Sequence, residues 1–186
     1  MSAVRLSTRY AKSLLELAQE QNVLDAVKQD IETLQWISKQ NREFAVMMHS
    51  PVIIANKKQR VFSALFKNRF HAITMTFLDL VAAKRREMYL PEITHEFLTQ
   101  YNQLKNITTV KATTAVPIDE AMIKTIEDLL RKEAGIENIK LITKVDPNLV
   151  GGFKLEYSNK LYDASIRHKL DLVEINFVDN PFIRKT

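Results

Sequence analysis

Apolar residues recur at three- and four-residue spacing along the first 105 positions, which is the period of a helix with one buried face. The pattern predicts six helices, and six helices of this length form a compact bundle. The apolar positions that define them are, in chain order, Tyr10, Ala11, Leu14, Leu15 and Ala18; Val23, Val27, Ile31, Leu34 and Ile37; Phe44 and Met48; Val61, Phe62 and Leu65; Ile73, Phe77, Leu80 and Val81; and Ile93, Phe97, Tyr101 and Leu104.

Capping residues set the predicted boundaries of the first three helices. Ser7 or Thr8 can cap the first helix, and Asn22 opens the second. Asn41 can cap the short third helix, which Ser50-Pro51 stops.

Glycine is absent before Gly135. Because glycine is the usual residue at positive φ, this absence favours helices joined by short proline or asparagine breaks. The fourth helix accordingly spans about Asn56 to Phe66, and Pro91, which a first helical turn tolerates, starts the sixth.

The apolar period changes after residue 105. The segment Ile107–Val116 is rich in Thr and Val, which predicts a strand that Pro117 ends. Asp119 can cap a following helix and Gly135 can close it. A second strand is predicted over Ile139–Val145.

The end of the chain contains a hairpin pattern and a final helix. The segments Phe153–Tyr157 and Leu161–Ser165 flank Ser158-Asn159-Lys160 as the two strands of a hairpin. The final helix begins near Ile166, and the tail from Asn176 is expected to be loose.

These elements predict a mainly α chain with two domains, a six-helix N-terminal bundle over residues 1–105 and a small α+β domain over residues 106–186. A hydrophobic fraction of 46% with 26% charged residues is ordinary for a globular protein. The absence of cysteine excludes disulfides and cysteine-ligated zinc. No segment approaches the roughly 18 apolar residues of a membrane span, so we expect a soluble chain or one attached to a membrane only through a partner.

The net charge of +5 comes from the first domain. Residues 1–105 contain 15 Lys and Arg against 10 Asp and Glu, while residues 106–186 contain 12 of each class. The main contributors are Lys57, Lys58, Arg60, Lys67, Arg69 and Lys84-Arg85-Arg86. A solvated basic face or a surface for an acidic partner explains this excess better than nucleic-acid binding, because no nucleic-acid-binding motif accompanies it.

Residues suited to catalysis, cofactors or metals do not form a recognisable pattern. The four histidines have no metal-ligand spacing on a shared helix. The pair Gly151-Gly152 precedes a strand, so it predicts a tight turn or close backbone packing instead of a phosphate loop. In Asp163-x-Ser165, Ser165 is interpreted as the N-cap of the last helix. We therefore predict no catalytic residue, no cofactor-binding residue and no metal site.

Amphipathic surface is the remaining candidate for function. In the first helix, small and large residues alternate over Tyr10, Ala11, Leu14 and Ala18, as a groove for a partner helix requires. The helix over residues 73–81 is the second candidate. The alternative, which the pattern alone favours, is that all these residues face the interior of the bundle.

Three segments together resemble the delta subunit of F-type ATP synthases, the family of the mitochondrial oligomycin-sensitivity-conferring protein. The first runs from Arg9 to Ala18, and the second joins Ser50-Pro51-Val52-Ile53 to Lys57-Lys58 and to the stretch 77–85. The third and most specific is Val145-Asp146-Pro147-Asn148-Leu149-Val150-Gly151-Gly152-Phe153, continued by Tyr162 to Leu170. Ala164 departs from the glycine that is common in the family, so the resemblance does not determine the conformation of the turn at this residue.

The resemblance implies a non-catalytic stator subunit. The N-terminal domain would bind the N-terminal helices of the alpha subunits, and the C-terminal domain would bind the b subunits of the peripheral stalk. The implied location is the cytoplasmic side of the bacterial inner membrane, with membrane association only through the complex. Carried over by position, the head-binding groove would involve Tyr10, Ala11, Leu14, Ala18, Phe77, Leu80 and Val81.

Two other classes stay open from the sequence. A basic helical nucleic-acid binder would lose affinity steeply with salt, and an enzyme would need a polar pocket that a ligand screen would reveal. The groove hypothesis predicts that Leu14→Asp weakens binding to the head without destroying the fold.

Overall fold

The computed structural model describes residues 3–136, 138–157 and 160–178. Within them the chain is mainly helical with a small four-stranded sheet in its C-terminal part, as the sequence predicts. The chain divides into two compact units between Leu104 and Lys105.

The first unit consists of α-helices and one short 3-10 turn. The helices are α1 (Ala3–Glu20), α2 (Leu24–Gln40), α3 (Arg42–His49), α4 (Ala55–Phe66), α5 (Ala72–Ala83) and α6 (Leu90–Leu104), with the 3-10 turn at Glu87–Tyr89 before α6. Helix α6 packs against α1 and α2, and α4 packs against α5. Fully buried aliphatic and aromatic side chains such as Ile31, Leu34, Phe62, Leu78 and Phe97 fill the space between them.

The start of α1 differs from the prediction. The helix already begins at Ala3, so Ser7 and Thr8 lie inside it. The Ser7 side chain is buried, and the Thr8 hydroxyl donates to the carbonyl oxygen of Val4 at 3.0 Å. A hydroxyl that bonds back four residues is satisfied within the helix and does not cap it.

Asn22 is also placed differently, because it ends α1 instead of opening α2. Its φ is 55°, and the N–H of Val23 donates to the carbonyl oxygen of Ala18 while that of Asn22 donates to Gln19. This pair of bonds is a Schellman motif, in which asparagine tolerates the left-handed position that glycine usually holds. Asn41 does cap α3, since its side chain accepts from the N–H of Phe44 at 3.0 Å.

The second unit contains a mixed sheet and two helices. Its elements are β1 (Ile107–Thr114), α7 (Glu120–Ala134), β2 (Asn138–Val145), β3 (Phe153–Tyr157), β4 (Lys160–Asp163) and α8 (Ile166–Val178), with a 3-10 turn at Pro147–Leu149. The strand order is β2-β1-β3-β4. Strands β1 and β2 are parallel, which requires the crossover that α7 provides, and the other neighbours are antiparallel. The core combines Val110, Ala112, Ile126, Leu130 and Leu155.

Most predicted boundaries in this unit are confirmed. Asp119 accepts from the N–H of Met122 at 2.8 Å, and Gly135 closes α7 with φ 65°. The predicted hairpin is present as β3 and β4, although its residues 158 and 159 lie outside the described part. Strand β4 ends at Asp163 and not at the predicted Ser165, because the Asp163 carboxylate turns back to accept from the N–H of Ser165. The loose tail predicted from Asn176 is wrong for its first residues, since α8 continues to Val178.

The glycine pair packs closely against the start of α8. A Cβ on Gly151 would lie 2.6 Å from Cδ1 of Ile166, and one on Gly152 would lie 2.3 Å from the carbonyl oxygen of Ala164. Ala164 itself donates its N–H to Phe153 and has no left-handed φ. The close approach therefore involves the backbone of Ala164, and a methyl group on that residue is compatible with it.

Candidate partner-binding groove

A groove of about 420 Å³ opens between α1 and α5 in the first unit. Its lining is mostly apolar and consists of Arg9, Tyr10, Ser13, Leu14, Leu17, Ile73, Thr76, Phe77, Leu80 and Arg86. Leu14 and Phe77 form its deep part, while Leu17 and Leu80 remain 41% and 49% exposed. Large, exposed apolar side chains beside a concave apolar surface are typical of a site that receives another chain.

The structure brings together four of the seven residues that the resemblance indicated. Tyr10, Leu14, Phe77 and Leu80 line the groove. The three small residues do not, since Ala11, Ala18 and Val81 have no exposed surface and pack inside the unit. These three residues therefore face the interior, as the alternative interpretation of the pattern predicted. The four larger side chains line the groove.

Tyr10 is the centre of the polar contacts at one end of the groove. Its ring lies edge-on to Phe77, with ring centroids 6.2 Å apart. A guanidinium nitrogen of Arg86 donates to the Tyr10 hydroxyl at 2.6 Å, and the Arg86 Cζ lies 5.5 Å from the Tyr10 ring centroid. This combination of a hydrogen bond and a cation-π contact holds both side chains in place.

A left-handed turn after α5 puts Arg86 at this position. Arg85 has φ 53°, and the N–H of Arg86 returns to the carbonyl oxygen of Val81 at 3.0 Å. Sequence spacing does not predict such a turn at an arginine, so Arg86 was missed as a groove residue. Leu17 was also missed, although its position three residues after Leu14 places it on the same side of α1.

A buried carboxylate fixes the beginning of α5. Asp30 of α2 accepts from the N–H of His71 at 2.8 Å and from the Thr74 hydroxyl at 2.7 Å. Negative charge at a helix N-terminus is favourable, because the free N–H groups there carry partial positive charge. Asp30 therefore holds the N-terminus of α5, which forms one wall of the groove, against α2.

A buried ion pair fixes the segment that follows α5. Lys58 of α4 donates to the carbonyl oxygens of Met48 and Ser50, at 3.0 and 2.9 Å, and to the carboxylate of Glu87. Both side chains are more than nine-tenths buried. The sequence-based assignment of Lys58 to a solvated basic face is wrong, because all three of its ammonium protons have partners inside the protein.

The Asp163-x-Ser165 motif in the second unit is structural. The Ser165 hydroxyl oxygen accepts from the N–H of His168 at 3.2 Å, so Ser165 caps α8 as predicted. Burial alone would raise the pKa of Asp163, but hydrogen bonds from Ser165 and the nearby ammonium of Lys154 lower that pKa to about 2. The carboxylate thus stays charged at neutral pH and holds the turn before α8.

Helix α8 leaves apolar side chains uncovered in the described part of the second unit. Each side chain from Ile166 to Val173 is exposed, including Leu170 at 58% and Leu172 at 46%. Across residues 3–136, 138–157 and 160–178, no helix is long and apolar enough to cross a membrane. The same residues contain no group of three or more side chains suited to hold a metal ion.

Comparisons with known proteins agree on one family. The family model for the ATP synthase delta (OSCP) subunit matches residues 6–176. The chain is 34% identical to the ATP synthase subunit delta of Cytophaga hutchinsonii, over 96% of this chain and 97% of that protein. It is 33% identical to the chloroplastic ATP synthase subunit delta of Emiliania huxleyi, over 91% of this chain and 94% of that protein.

A solved structure has the same fold. A chain in the cryo-EM structure of the Toxoplasma gondii mitochondrial ATP synthase hexamer matches with a TM-score of 0.69 and 20% identity. The match covers 94% of this chain and 98% of that chain. At this level of identity the likeness concerns the fold alone.

Proposed function

The chain belongs to the ATP synthase delta (OSCP) subunit family, and we propose that it is a non-catalytic stator subunit that links the catalytic head of an F-type ATP synthase to its peripheral stalk. In this role the chain resists the torque that the rotor exerts on the head during proton-driven ATP synthesis. The apolar groove between α1 and α5 is the observation that carries the proposal.

The groove is the proposed seat for the N-terminal helices of the alpha subunits, and the six helices of the first unit act as one bundle that presents it. An amphipathic helix could cover Leu17 and Leu80 and insert apolar side chains toward Leu14 and Phe77. Ala11, Ala18 and Val81 support the walls from inside and make no contact with the partner.

Helix α8 is the proposed seat for the b subunits of the peripheral stalk. A helix of 13 residues is marginal in water without a packed face. Its exposed residues Ile166, Leu170 and Val173 recur at helical spacing and form one apolar stripe. Helices of the stalk could cover this stripe.

Two attachments would let a non-catalytic chain serve the enzyme. Nanomolar binding corresponds to about −12 kcal/mol, which an interface with a few well-buried anchors provides. In the proposal the chain reaches the cytoplasmic side of the bacterial inner membrane only through these partners. The proposal includes no nucleic-acid partner, and the buried ion pair with Glu87 removes Lys58 from the basic surface.

The groove is tested by replacing Leu80 with aspartate. Leu80 is half exposed, so Leu80→Asp leaves the core intact but puts a charge where the partner needs an apolar surface. We expect the dissociation constant for catalytic heads that lack this subunit to rise at least about 30-fold, which is the effect of a strong hot spot. Surface plasmon resonance with immobilised heads measures this change.

Leu65→Asp is the matched control, because Leu65 is 47% exposed on α4 and does not line the groove. Equal affinity of the Leu80→Asp and Leu65→Asp proteins would exclude the groove as the head-binding site. Leu14→Asp is unsuited to this test, since Leu14 is 1% exposed and an aspartate there would bury an unpaired carboxylate and disrupt the fold.

A further inference from the structure

The groove has a cationic end and an uncharged end. Its charged lining residues are Arg9 and Arg86, and no carboxylate lines it. Both arginines lie at the Tyr10 end, because Arg9 precedes Tyr10 in α1 and Arg86 contacts the Tyr10 side chain. Leu17 is seven residues beyond Tyr10, about 10 Å along the helix axis, and it lines the groove in a part without charges.

Neither arginine is neutralised within the described residues, since no carboxylate there forms an ion pair with Arg9 or Arg86. A guanidinium has five N–H donors. The contact with the Tyr10 hydroxyl occupies one nitrogen of Arg86 and fixes the side chain at the rim. The remaining donors are available to a carboxylate, which a guanidinium binds with two parallel hydrogen bonds.

We infer that the helix docked in this groove places an acidic side chain at the Arg9–Arg86 end, and that Arg86 thereby sets the register and direction of the docked helix. The inference rests on the proposed function, which supplies the occupant, an N-terminal helix of the alpha subunit. The apolar floor alone would accept an amphipathic helix in several registers. A carboxylate paired with a fixed arginine at one end favours one of them.

Binding of the full chain to an alpha-subunit N-terminal peptide from the same organism tests this inference. Arg86→Gln is expected to raise the dissociation constant about tenfold, and Arg86→Glu to raise it further by repulsion. The affinity of Arg86→Gln should depend less on salt than that of the wild type, because a charge pair has been lost, whereas salt should partly restore the affinity of Arg86→Glu by screening its repulsion. Arg60→Gln on α4 is the matched control, since it removes one exposed positive charge outside the groove lining.

Two further variants separate charge recognition from a structural effect on Tyr10. Tyr10→Phe removes the hydroxyl but keeps the ring, so it should weaken binding less than Arg86→Gln. Arg9→Gln changes an exposed residue of the groove lining, and it should raise the dissociation constant while leaving the circular dichroism spectrum of the protein unchanged.

Charge exchange in the peptide identifies the paired residue. Replacing one acidic residue of the peptide with lysine should restore affinity to Arg86→Glu while weakening binding to the wild type. The inference is overturned if Arg86→Gln and Arg9→Gln bind like Arg60→Gln, or if no such replacement restores binding. Failure of the wild-type chain to bind heads or peptide would instead overturn the proposed function, so the two failures are distinguishable.

Discussion

Gly135 and Gly152 both hold a positive φ, of 65° and 77°, but their surroundings differ. A Cβ at Gly135 would meet nothing within 4 Å, whereas one at Gly152 would meet the carbonyl oxygen of Ala164 at 2.3 Å. We expect Gly135→Ala to reduce the free energy of unfolding by about 1–2 kcal/mol through backbone strain. Gly152→Ala should reduce it by about 1–3 kcal/mol more, because backbone atoms must shift to admit the methyl group.

Amide hydrogen exchange in strands β1 and β3 of the full chain measures the difference in stability between the Gly135→Ala and Gly152→Ala proteins. Protection should fall further in Gly152→Ala than in Gly135→Ala, while amides of α1 and α5 in the first unit should exchange as in the wild type. Equal protection in the two variants would show that the close contact with Ala164 does not stabilise the second unit.

Residues whose roles depend on distant partners could not be assigned from the sequence. Lys58 belongs to a run of basic residues, and only the folded chain places it beside Glu87, 29 positions away. Arg86 contacts Tyr10 across 76 positions. Asn41 and Asp119, in contrast, cap helices through an N–H three residues ahead, so their roles follow from local sequence.

At the scale of elements, apolar period predicted the helices, and residue type and turn residues predicted the strands, but several ends of these elements differ from the prediction. Leu65 and Leu80 fit the apolar spacing of α4 and α5 but remain about half exposed, because periodicity identifies a stripe and not what covers it. That ambiguity is also why the seven indicated residues include four that line the groove and three, Ala11, Ala18 and Val81, that are buried inside the unit. Deciding between core and groove required the packing of neighbouring helices.

The exposed stripe of α8 gives a prediction at this scale. Leu170→Asp should raise the dissociation constant for a soluble fragment of the b subunits about tenfold or more, because Leu170 lies at the middle of the stripe. Isothermal titration calorimetry with the full chain measures it. Leu172→Asp is the matched control on the same helix, since residues two positions apart point to different sides.

Unchanged affinity in Leu170→Asp would remove this stripe from the proposed stalk contact. Loss of affinity in Leu172→Asp alone would place the contact on the other side of α8. Binding to the catalytic head should be the same in both variants, because the groove lies in the first unit.

At the scale of the whole molecule, the two units divide the proposed task. The first unit has the groove and its fixed arginine, and the second has the exposed helix after the sheet. Each unit has a separate hydrophobic core, so each can bind its partner through its own surface. The proposed transmission of force, however, would require one continuous chain from the head to the stalk.

Cutting the chain at the boundary between the units tests this requirement. We expect residues 1–104 alone to bind the head with nearly the affinity of the full chain, since the groove is complete within them. When residues 105–186 are added as a separate chain, they should bind the peripheral stalk. They should not restore proton-driven ATP synthesis in membrane vesicles that lack the subunit. The full chain is the positive control, and full synthesis with residues 1–104 alone would mean that the second unit has no role in holding the head. If the two separate pieces restored ATP synthesis, the force would have to pass through non-covalent contacts and not through the peptide bond after residue 104.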